Sequence, residues 1–210
     1  MKTIPYCRQS IPQEDIHSVI EVLQADFLTQ GPSIIKFENK FSEYIGCKNA
    51  VAVSNGTAAL HLSANALNVQ AGQKVLTTIT FAASSNCILY CGGEIDFVDI
   101  DPNTFLIDLK KLDEKLESQP VGTYAGIIPV DFTGLPVNTE KFNSIAKKYN
   151  LWIIEDACHA SGAFFINSEN KMVFCGDGTN SDLSIFSFHP VKHIATGEGG
   201  MITIKNKELD

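Results

Sequence analysis

Long apolar runs, clustered positive charge and closely paired cysteines are all missing from this sequence, and each absence excludes a class of protein. No apolar run reaches the roughly 18 to 20 residues that a membrane-spanning helix needs. The 16 Lys and Arg residues are scattered, and the formal net charge is −8. A chain with that charge has no basic surface to attract nucleic acid. We therefore expect neither a membrane nor nucleic acid as a partner.

The six cysteines show no Cys-x-x-Cys pair. Residues 1–6 lack the apolar core of a secretory signal, so we expect a cytoplasmic chain with reduced thiols. Cys87 and Cys91 are four residues apart, but no neighbouring His or Cys completes a ligand set. We expect no metal site.

The composition, 44% hydrophobic and 19% charged over 210 residues, is typical of a globular protein with a sizeable core. Short apolar runs alternate with amphipathic stretches, a pattern that favours an α/β fold with a mainly parallel sheet covered by helices on both faces. We predict one large domain over residues 1–210, with an N-terminal helical arm over 1–45 and a sheet domain over 46–210. The seven predicted strands lie near residues 51–53, 75–78, 95–98, 126–130, 152–154, 183–186 and 201–204.

Two local patterns refine this outline. A helix is predicted from about Gln13 to Gln24, because four apolar residues share one face, and a break follows over residues 27–32. The segment between Phe188 and Met201 is short and rich in glycine, which leaves little room for a helical crossover. The seventh strand is therefore predicted to run antiparallel.

Polar residues follow five of the predicted strands. In an open α/β sheet, ligands bind beyond the carboxyl ends of the strands, so these segments are expected to meet at one site. They are residues 54–57, 80–81, Asp131, Asp156 and 187–192.

Lys192 lies in a glycine-punctuated loop directly after an apolar strand, and Asp156 ends another strand upstream. An amine held away from water near a cationic ring has a lowered pKa, as Schiff-base formation requires. A carboxylate at Asp156 would keep a pyridine nitrogen protonated. The pair predicts pyridoxal phosphate as cofactor. An exposed surface lysine and an aspartate that caps a following helix are the alternatives.

The segment Asn55-Gly56-Thr57-Ala58 reads as a turn that opens a helix. It would direct the backbone N–H groups of Thr57 and Ala58 at a phosphate. The alternative is an ordinary turn in which Thr57 caps the helix. Ser187, at a different strand end, could donate its hydroxyl to the same phosphate.

Phe81 and His159 are the remaining candidates for cofactor contact. Phe81 follows a strand and would stack on the cofactor ring, although an aromatic at such a position is more often part of the core. His159 would contact the ring or its phenolic oxygen, and the alternative is a structural histidine.

With these residues in place, the chain resembles the DegT/DnrJ/StrS sugar aminotransferases, which are fold type I enzymes dependent on pyridoxal phosphate. The resemblance rests on five motifs in order. They are Phe27-Leu28-Thr29-Gln30-Gly31-Pro32, Asn55-Gly56-Thr57-Ala58-Ala59-Leu60, Phe97-Val98-Asp99-Ile100-Asp101-Pro102, Glu155-Asp156-Ala157-Cys158-His159-Ala160 and Phe186-Ser187-Phe188-His189-Pro190-Val191-Lys192.

The resemblance implies that Lys192 is the Schiff-base lysine and proton shuttle, that Asp156 is the partner of the pyridine nitrogen and that Phe81 stacks on the ring. It makes Thr57, Ala58 and Ser187 phosphate contacts, places Gly56 among the cofactor-binding residues and turns His159 toward the cofactor. The motifs are most like those of the branch that makes a 4-amino sugar precursor of pseudaminic acid. That branch implies a UDP-linked 4-keto-6-deoxy hexose as substrate, glutamate as amino donor and a homodimer.

Chains of the family are nearly twice this length and continue into a smaller C-terminal domain. The sequence is thus expected to hold the PLP-binding large domain without the small domain. A catalytically inactive fragment that acts as a binding or dimerisation module is the alternative to an active aminotransferase.

Overall fold

The computed structural model describes residues 4–5 and 8–204. Its helices are α1 (Gln13–Leu23), α2 (Pro32–Ile45), α3 (Gly56–Ala66), α4 (Ala83–Tyr90), α5 (Leu109–Glu117) and α6 (Thr139–Tyr149). Its strands are β1 (Asn49–Val53), β2 (Lys74–Thr77), β3 (Glu94–Phe97), β4 (Tyr124–Ile127), β5 (Trp152–Asp156), β6 (Phe164–Ile166), β7 (Met172–Phe174), β8 (Leu183–Ser187) and β9 (Gly200–Ile204).

Seven strands form one sheet in the order β1-β9-β8-β5-β4-β2-β3. β9 runs antiparallel to both of its neighbours, and the pairs among β8, β5, β4, β2 and β3 are parallel. The predictions of a mainly parallel α/β sheet and of an antiparallel seventh strand are confirmed.

Helices cover both faces of this sheet, as predicted, and alternate residues of each strand face opposite sides. Ile154 of β5 packs in one core cluster with Leu60 of α3, whereas its neighbour Ile153 packs on the other side with Phe142 of α6. The sheet is buried on both faces, as near-continuous apolar strands require.

An aromatic cluster joins α2 to the end of β8. The ring of Phe41 lies 5.0 Å from that of Phe186 and 5.4 Å from that of Phe188, in edge-on geometry. Phe37 adds a third edge contact, 5.5 Å from Phe188. Such pairs contribute about 0.5–1.5 kcal/mol beyond area burial. They fix the chain at the point where it leaves β8 for the loop that carries Lys192.

Helix α1 confirms the helix predicted near residues 13–24, and the predicted break separates it from α2, which begins at Pro32. None of the residues of α1 is buried. The apolar face that predicted the helix is therefore exposed to solvent.

The antiparallel hairpin of β6 and β7 was not predicted. Phe164 pairs with Phe174 and Ile166 with Met172, and residues 167–171 form the turn. These strands have only three residues each. A run that short carries no recognisable period, which is why the sequence pattern did not reveal it.

Five cysteines are free thiols, Cys47, Cys87, Cys91, Cys158 and Cys175, and Cys7 lies outside the described residues. Among residues 4–5 and 8–204, no helix is long and apolar enough to cross a bilayer. The division into an arm over 1–45 and a sheet domain over 46–210 stays a prediction.

Candidate active site

The carboxyl ends of the parallel strands and the start of α3 enclose a cavity of about 650 Å³. Seven of the eight predicted site residues line it: Gly56, Thr57, Phe81, Asp156, His159, Ser187 and Lys192. Ala58 is the exception. Four of the five predicted strand-end segments thus meet at one site, as strand-end placement predicts. The fifth prediction is wrong, because Asp131 is fully buried and does not line the cavity, although its neighbours Val130 and Phe132 do.

The loop that carries Lys192 is closed at its base by backbone hydrogen bonds. Phe188 N donates to Gly199 O at 2.8 Å, and Thr196 N donates to Phe188 O at 3.0 Å. Within the loop, Lys192 N donates to His189 O at 2.8 Å. These bonds hold the lysine over the cavity on a defined turn.

Lys192 and Phe81 meet across the cavity mouth. The Lys192 ammonium lies 6.0 Å from the centroid of the Phe81 ring, at the outer limit of a cation–π contact. Phe81 is 68% exposed, so the alternative of a core aromatic is wrong. Its ring presents a free apolar face next to the amine, and stacking on a cofactor stays a prediction.

The start of α3 approaches the end of β8 and the start of β9 closely, which leaves little room for a side chain at Gly56 and none at Gly200. A Cβ on Gly56 would lie 3.0 Å from Ser187 Cβ and 3.1 Å from Cys158 Sγ. On the adjacent strand, a Cβ on Gly200 would lie 2.6 Å from the carbonyl carbon of Asn55. These contacts bring the first turn of α3 and the Ser187 hydroxyl to the same wall of the cavity.

Asn55 is the N-cap of α3. Its side-chain oxygen accepts a hydrogen bond from Ala58 N at 2.8 Å. The expectation that Ala58 offers a free N–H is therefore wrong, because the cap already uses that donor. The alternative that Thr57 caps the helix is wrong as well, since Thr57 lies within α3. Gly56 and Thr57, in the first turn, line the cavity at the positive end of the helix dipole.

Asp156 is buried at the end of β5 and faces the cavity. Its Oδ2 accepts from Ser84 Oγ at 2.6 Å, and its Oδ1 accepts from Cys158 N at 3.2 Å. Turns rather than a helix follow residue 156 in the described chain, so the helix-capping alternative for Asp156 is wrong. The carboxylate is held by a side chain from another element and by its own turn.

His159 is held as a neutral ring. Its Nδ1 accepts a hydrogen bond from Thr133 N at 3.3 Å, which assigns the proton to Nε2. Burial, and then the positive charge of Lys192, lower the pKa of His159 below its ordinary 6.5. The ring lines the cavity and presents a donor there, whereas its Nδ1 contact is structural.

Sequence reasoning missed Ser84, Glu155 and Cys175 behind Asp156, and it placed Asp131 at the cavity rather than in this buried group. No sequence pattern marked Ser84, because its hydrogen bond to Asp156 forms only when α4 packs against β5. Asp131, Glu155 and Cys175 are all buried, with one potential ligand atom from each within 4.8 Å of the others. Burial raises the pKa of Asp131, and the charge of Glu155 raises it further.

The residues present fit pyridoxal phosphate. The cavity combines an amine at Lys192, a carboxylate at Asp156 and an aromatic face at Phe81. It is also lined by Gly56 and Thr57 at the start of α3 and by Ser187, whose backbone N–H groups and hydroxyl suit a phosphate dianion.

Comparison with known proteins decides the family. The profile of the DegT/DnrJ/EryC1/StrS aminotransferase family matches residues 9–210. The chain belongs to this family. The resemblance seen in the sequence motifs is thereby confirmed, and Lys192, Asp156 and Phe81 lie within the matched region.

Among curated members of the DegT/DnrJ/EryC1/StrS family, the UDP-4-amino-4,6-dideoxy-N-acetyl-beta-L-altrosamine transaminase of Campylobacter jejuni NCTC 11168 is 41% identical over 98% of this chain and 52% of its own length. An uncharacterised Methanocaldococcus jannaschii protein, MJ1066, is 40% identical over 98% of this chain and 51% of its own. The chain spans about half the length of the curated relatives it matches.

Two solved structures extend the comparison. Helicobacter pylori PseC, an aminotransferase involved in pseudaminic acid biosynthesis, superposes with a TM-score of 0.84 at 31% identity, over 99% of this chain and 54% of its own. Streptococcus pneumoniae Spr1654, in its PLP-form, gives a TM-score of 0.84 at 27% identity, over 100% of this chain and 55% of its own. Family members with this fold thus include a protein solved with the cofactor.

Proposed function

We propose that this chain is the PLP-binding part of a nucleotide-sugar aminotransferase, corresponding to the large domain of a fold type I enzyme. The observation that carries the proposal is the meeting of Lys192 and Asp156 in one cavity, from two separate strand ends, with Phe81 beside the amine. An amine, a buried carboxylate and an exposed aromatic face are the groups that this cofactor's chemistry requires.

Pyridoxal phosphate, when bound, supplies an electron sink for a carbanion at the substrate carbon. The residues of this chain would bind the cofactor, orient it and transfer protons. Lys192 attaches the cofactor and moves protons at its Nζ. Asp156 offers a carboxylate oxygen to the ring nitrogen, and His159 offers its Nε2 proton inside the cavity. The first turn of α3 and the Ser187 hydroxyl hold the phosphate, with Gly56 allowing the close approach of the two segments.

The proposed substrates are glutamate and a UDP-linked 4-keto-6-deoxy hexose, with the amine delivered to carbon 4 as in pseudaminic acid precursor synthesis. The Campylobacter jejuni relative named for a UDP-linked 4-amino-4,6-dideoxy sugar supports this choice. The GDP-perosamine synthase of Escherichia coli O157:H7, 37% identical over 100% of this chain and 55% of its own length, supports the broader class of nucleotide-linked amino sugars. We propose a cytoplasmic homodimer as the working form.

The test is reductive labelling of the purified chain. Pyridoxal phosphate is added, the visible absorption is recorded, and the adduct is reduced with borohydride and mapped by mass spectrometry. We expect an imine absorption band and label on Lys192 in the wild type, and neither in Lys192→Ala. Lys171→Ala, which removes an exposed lysine paired with Glu169, is the matched control and is expected to label like the wild type.

Two outcomes separate the active-site proposal from its alternative. Label on Lys192 followed by transfer of the amine from glutamate would support the aminotransferase. Failure of a folded chain to label Lys192 would contradict the PLP site and leave a binding or dimerisation module.

A further inference from the structure

Two adjacent serines of α4 make different contacts. Ser84 is buried, and its hydroxyl donates to Asp156 Oδ2 at 2.6 Å. Ser85 is part of the same turn, but its hydroxyl donates to the backbone oxygen of Ala82 at 2.9 Å. Only Ser84, of the two, connects α4 to the carboxylate that faces the cavity.

The backbone of Asp156 is fixed independently of Ser84. Asp156 N donates to Pro129 O at 2.9 Å, and Asp156 O accepts from Asp131 N at 3.0 Å. These bonds fix the backbone of Asp156, but they do not restrict the side-chain torsions. The orientation of the carboxylate is therefore decided by its side-chain contacts, to Cys158 N at Oδ1 and to Ser84 at Oδ2.

We propose that Ser84 is a positioning residue for the cofactor ring. Its hydroxyl holds the Asp156 carboxylate in the orientation that meets the ring nitrogen. This inference rests on the proposed function, because it concerns the partner of the PLP ring.

The first experiment measures binding of PLP to four forms of the chain by absorption titration: wild type, Ser84→Ala, Ser84→Thr and Ser85→Ala. Loss of a charge-assisted hydrogen bond at the ring partner is expected to weaken PLP binding about tenfold in Ser84→Ala. It is also expected to shift the absorption band of bound PLP, since the band reports the charge at the ring nitrogen. Ser84→Thr, which keeps the hydroxyl, is expected to restore both, and Ser85→Ala to match the wild type.

A second experiment needs no cofactor. Urea unfolding of Ser84→Ala, Asp156→Ala and the double variant forms a double-mutant cycle on the hydrogen bond itself. We expect Ser84→Ala to lower the urea midpoint when Asp156 is present and to change it little when Asp156 is already alanine. Additive effects in this cycle would overturn the proposed coupling.

The titrations distinguish failure of this inference from failure of the proposed function. If the wild type and Ser85→Ala bind PLP and Ser84→Ala binds it equally well with the same band, the role of Ser84 is overturned and the PLP site stands. If the wild type itself does not bind PLP, the proposed function is wrong and the inference falls with it.

Discussion

Glu155 and Asp156 are adjacent in sequence, and their side chains lie on opposite sides of β5. Asp156 faces the cavity, whereas Glu155 Oε2 is buried among hydrogen-bond donors. It accepts from Ser184 Oγ at 2.8 Å, Gly176 N at 3.1 Å and Ser181 Oγ at 3.2 Å. Burial nevertheless dominates these donors and raises the pKa of Glu155 from 4.5 to about 7.

This raised pKa predicts how stability changes with pH. Between pH 4.5 and about 7 the folded protein retains a proton on Glu155 that the unfolded chain has released. The free energy of unfolding therefore falls as pH rises through this window, by on the order of 3 kcal/mol, and levels off above it. Urea titrations at a pH just above 4.5 and at a pH near 7 measure the change.

Glu155→Gln tests the assignment, because an amide keeps an acceptor oxygen but does not titrate. Its unfolding free energy is expected to vary less over the same window than that of the wild type. Glu169→Gln, on the exposed turn, is the control and should keep the wild-type slope. Equal slopes for wild type and Glu155→Gln would show that another group is responsible.

At the level of single residues, the sequence revealed the groups that face the cavity and missed those that support them. Lys192, Asp156 and Phe81 could be predicted because each follows an apolar strand. Ser84 could not, since it is separated from Asp156 by 72 positions and meets it only once α4 is packed. The role of Asn55 was also missed, because the choice between neighbouring cap residues depends on where the helix begins.

Helices α3 and α6 both begin with an asparagine N-cap, so the contribution of this cap to stability can be measured in two places. Asn55 caps α3 by accepting from Ala58 N at 2.8 Å, and Asn138 caps α6 by accepting from Lys141 N at 3.1 Å. Replacing either asparagine by alanine is expected to cost about 1 kcal/mol of unfolding free energy. Chemical denaturation of Asn55→Ala and Asn138→Ala measures both costs.

The two variants should differ in cofactor binding. Asn55 lines the cavity and caps the turn of α3 that would face the phosphate of the proposed cofactor, whereas Asn138 is not among the described residues that line it. Asn55→Ala is expected to bind PLP several-fold more weakly, and Asn138→Ala to bind like the wild type. Equal PLP affinities would mean that the α3 cap has no part in the phosphate site.

The strands of the main sheet and helix α1 were predicted, whereas the hairpin of β6 and β7 was not. Short apolar runs made the strands recognisable, and the apolar face of α1 predicted that helix. The hairpin of β6 and β7 has Phe164, Ile166 and Met172 exposed. Only Val173 of its two strands is buried, so no regular burial pattern marked the hairpin in the sequence.

The exposed face of α1 has a consequence for the whole molecule. Ile16, Val19, Ile20 and Leu23 line this face and are between 39% and 62% exposed. Apolar faces of that kind favour association. We predict that the chain forms a dimer that buries this face, and that Val19→Lys with Leu23→Lys shifts it toward the monomer in sedimentation equilibrium.

The control for this prediction is a charge change on the polar side of the same helix. His17→Lys with Glu21→Lys alters exposed positions of α1 without touching its apolar face. This variant is expected to sediment like the wild type. A dimer that survives the Val19 and Leu23 substitutions would show that α1 is not part of the interface.

The position of β9 determines when the main sheet can be completed during translation. β9 is the last described strand to leave the ribosome, yet it lies between β1 and β8, with Gly200 opposite Val53 on one side and Ser187 on the other. Until it arrives, β1 has no partner strand and the start of α3 is not held beside Ser187. Contacts so distant in sequence form slowly. The nascent chain therefore exposes an unpaired strand edge until β9 has been made, and the cavity closes only once β9 is in place.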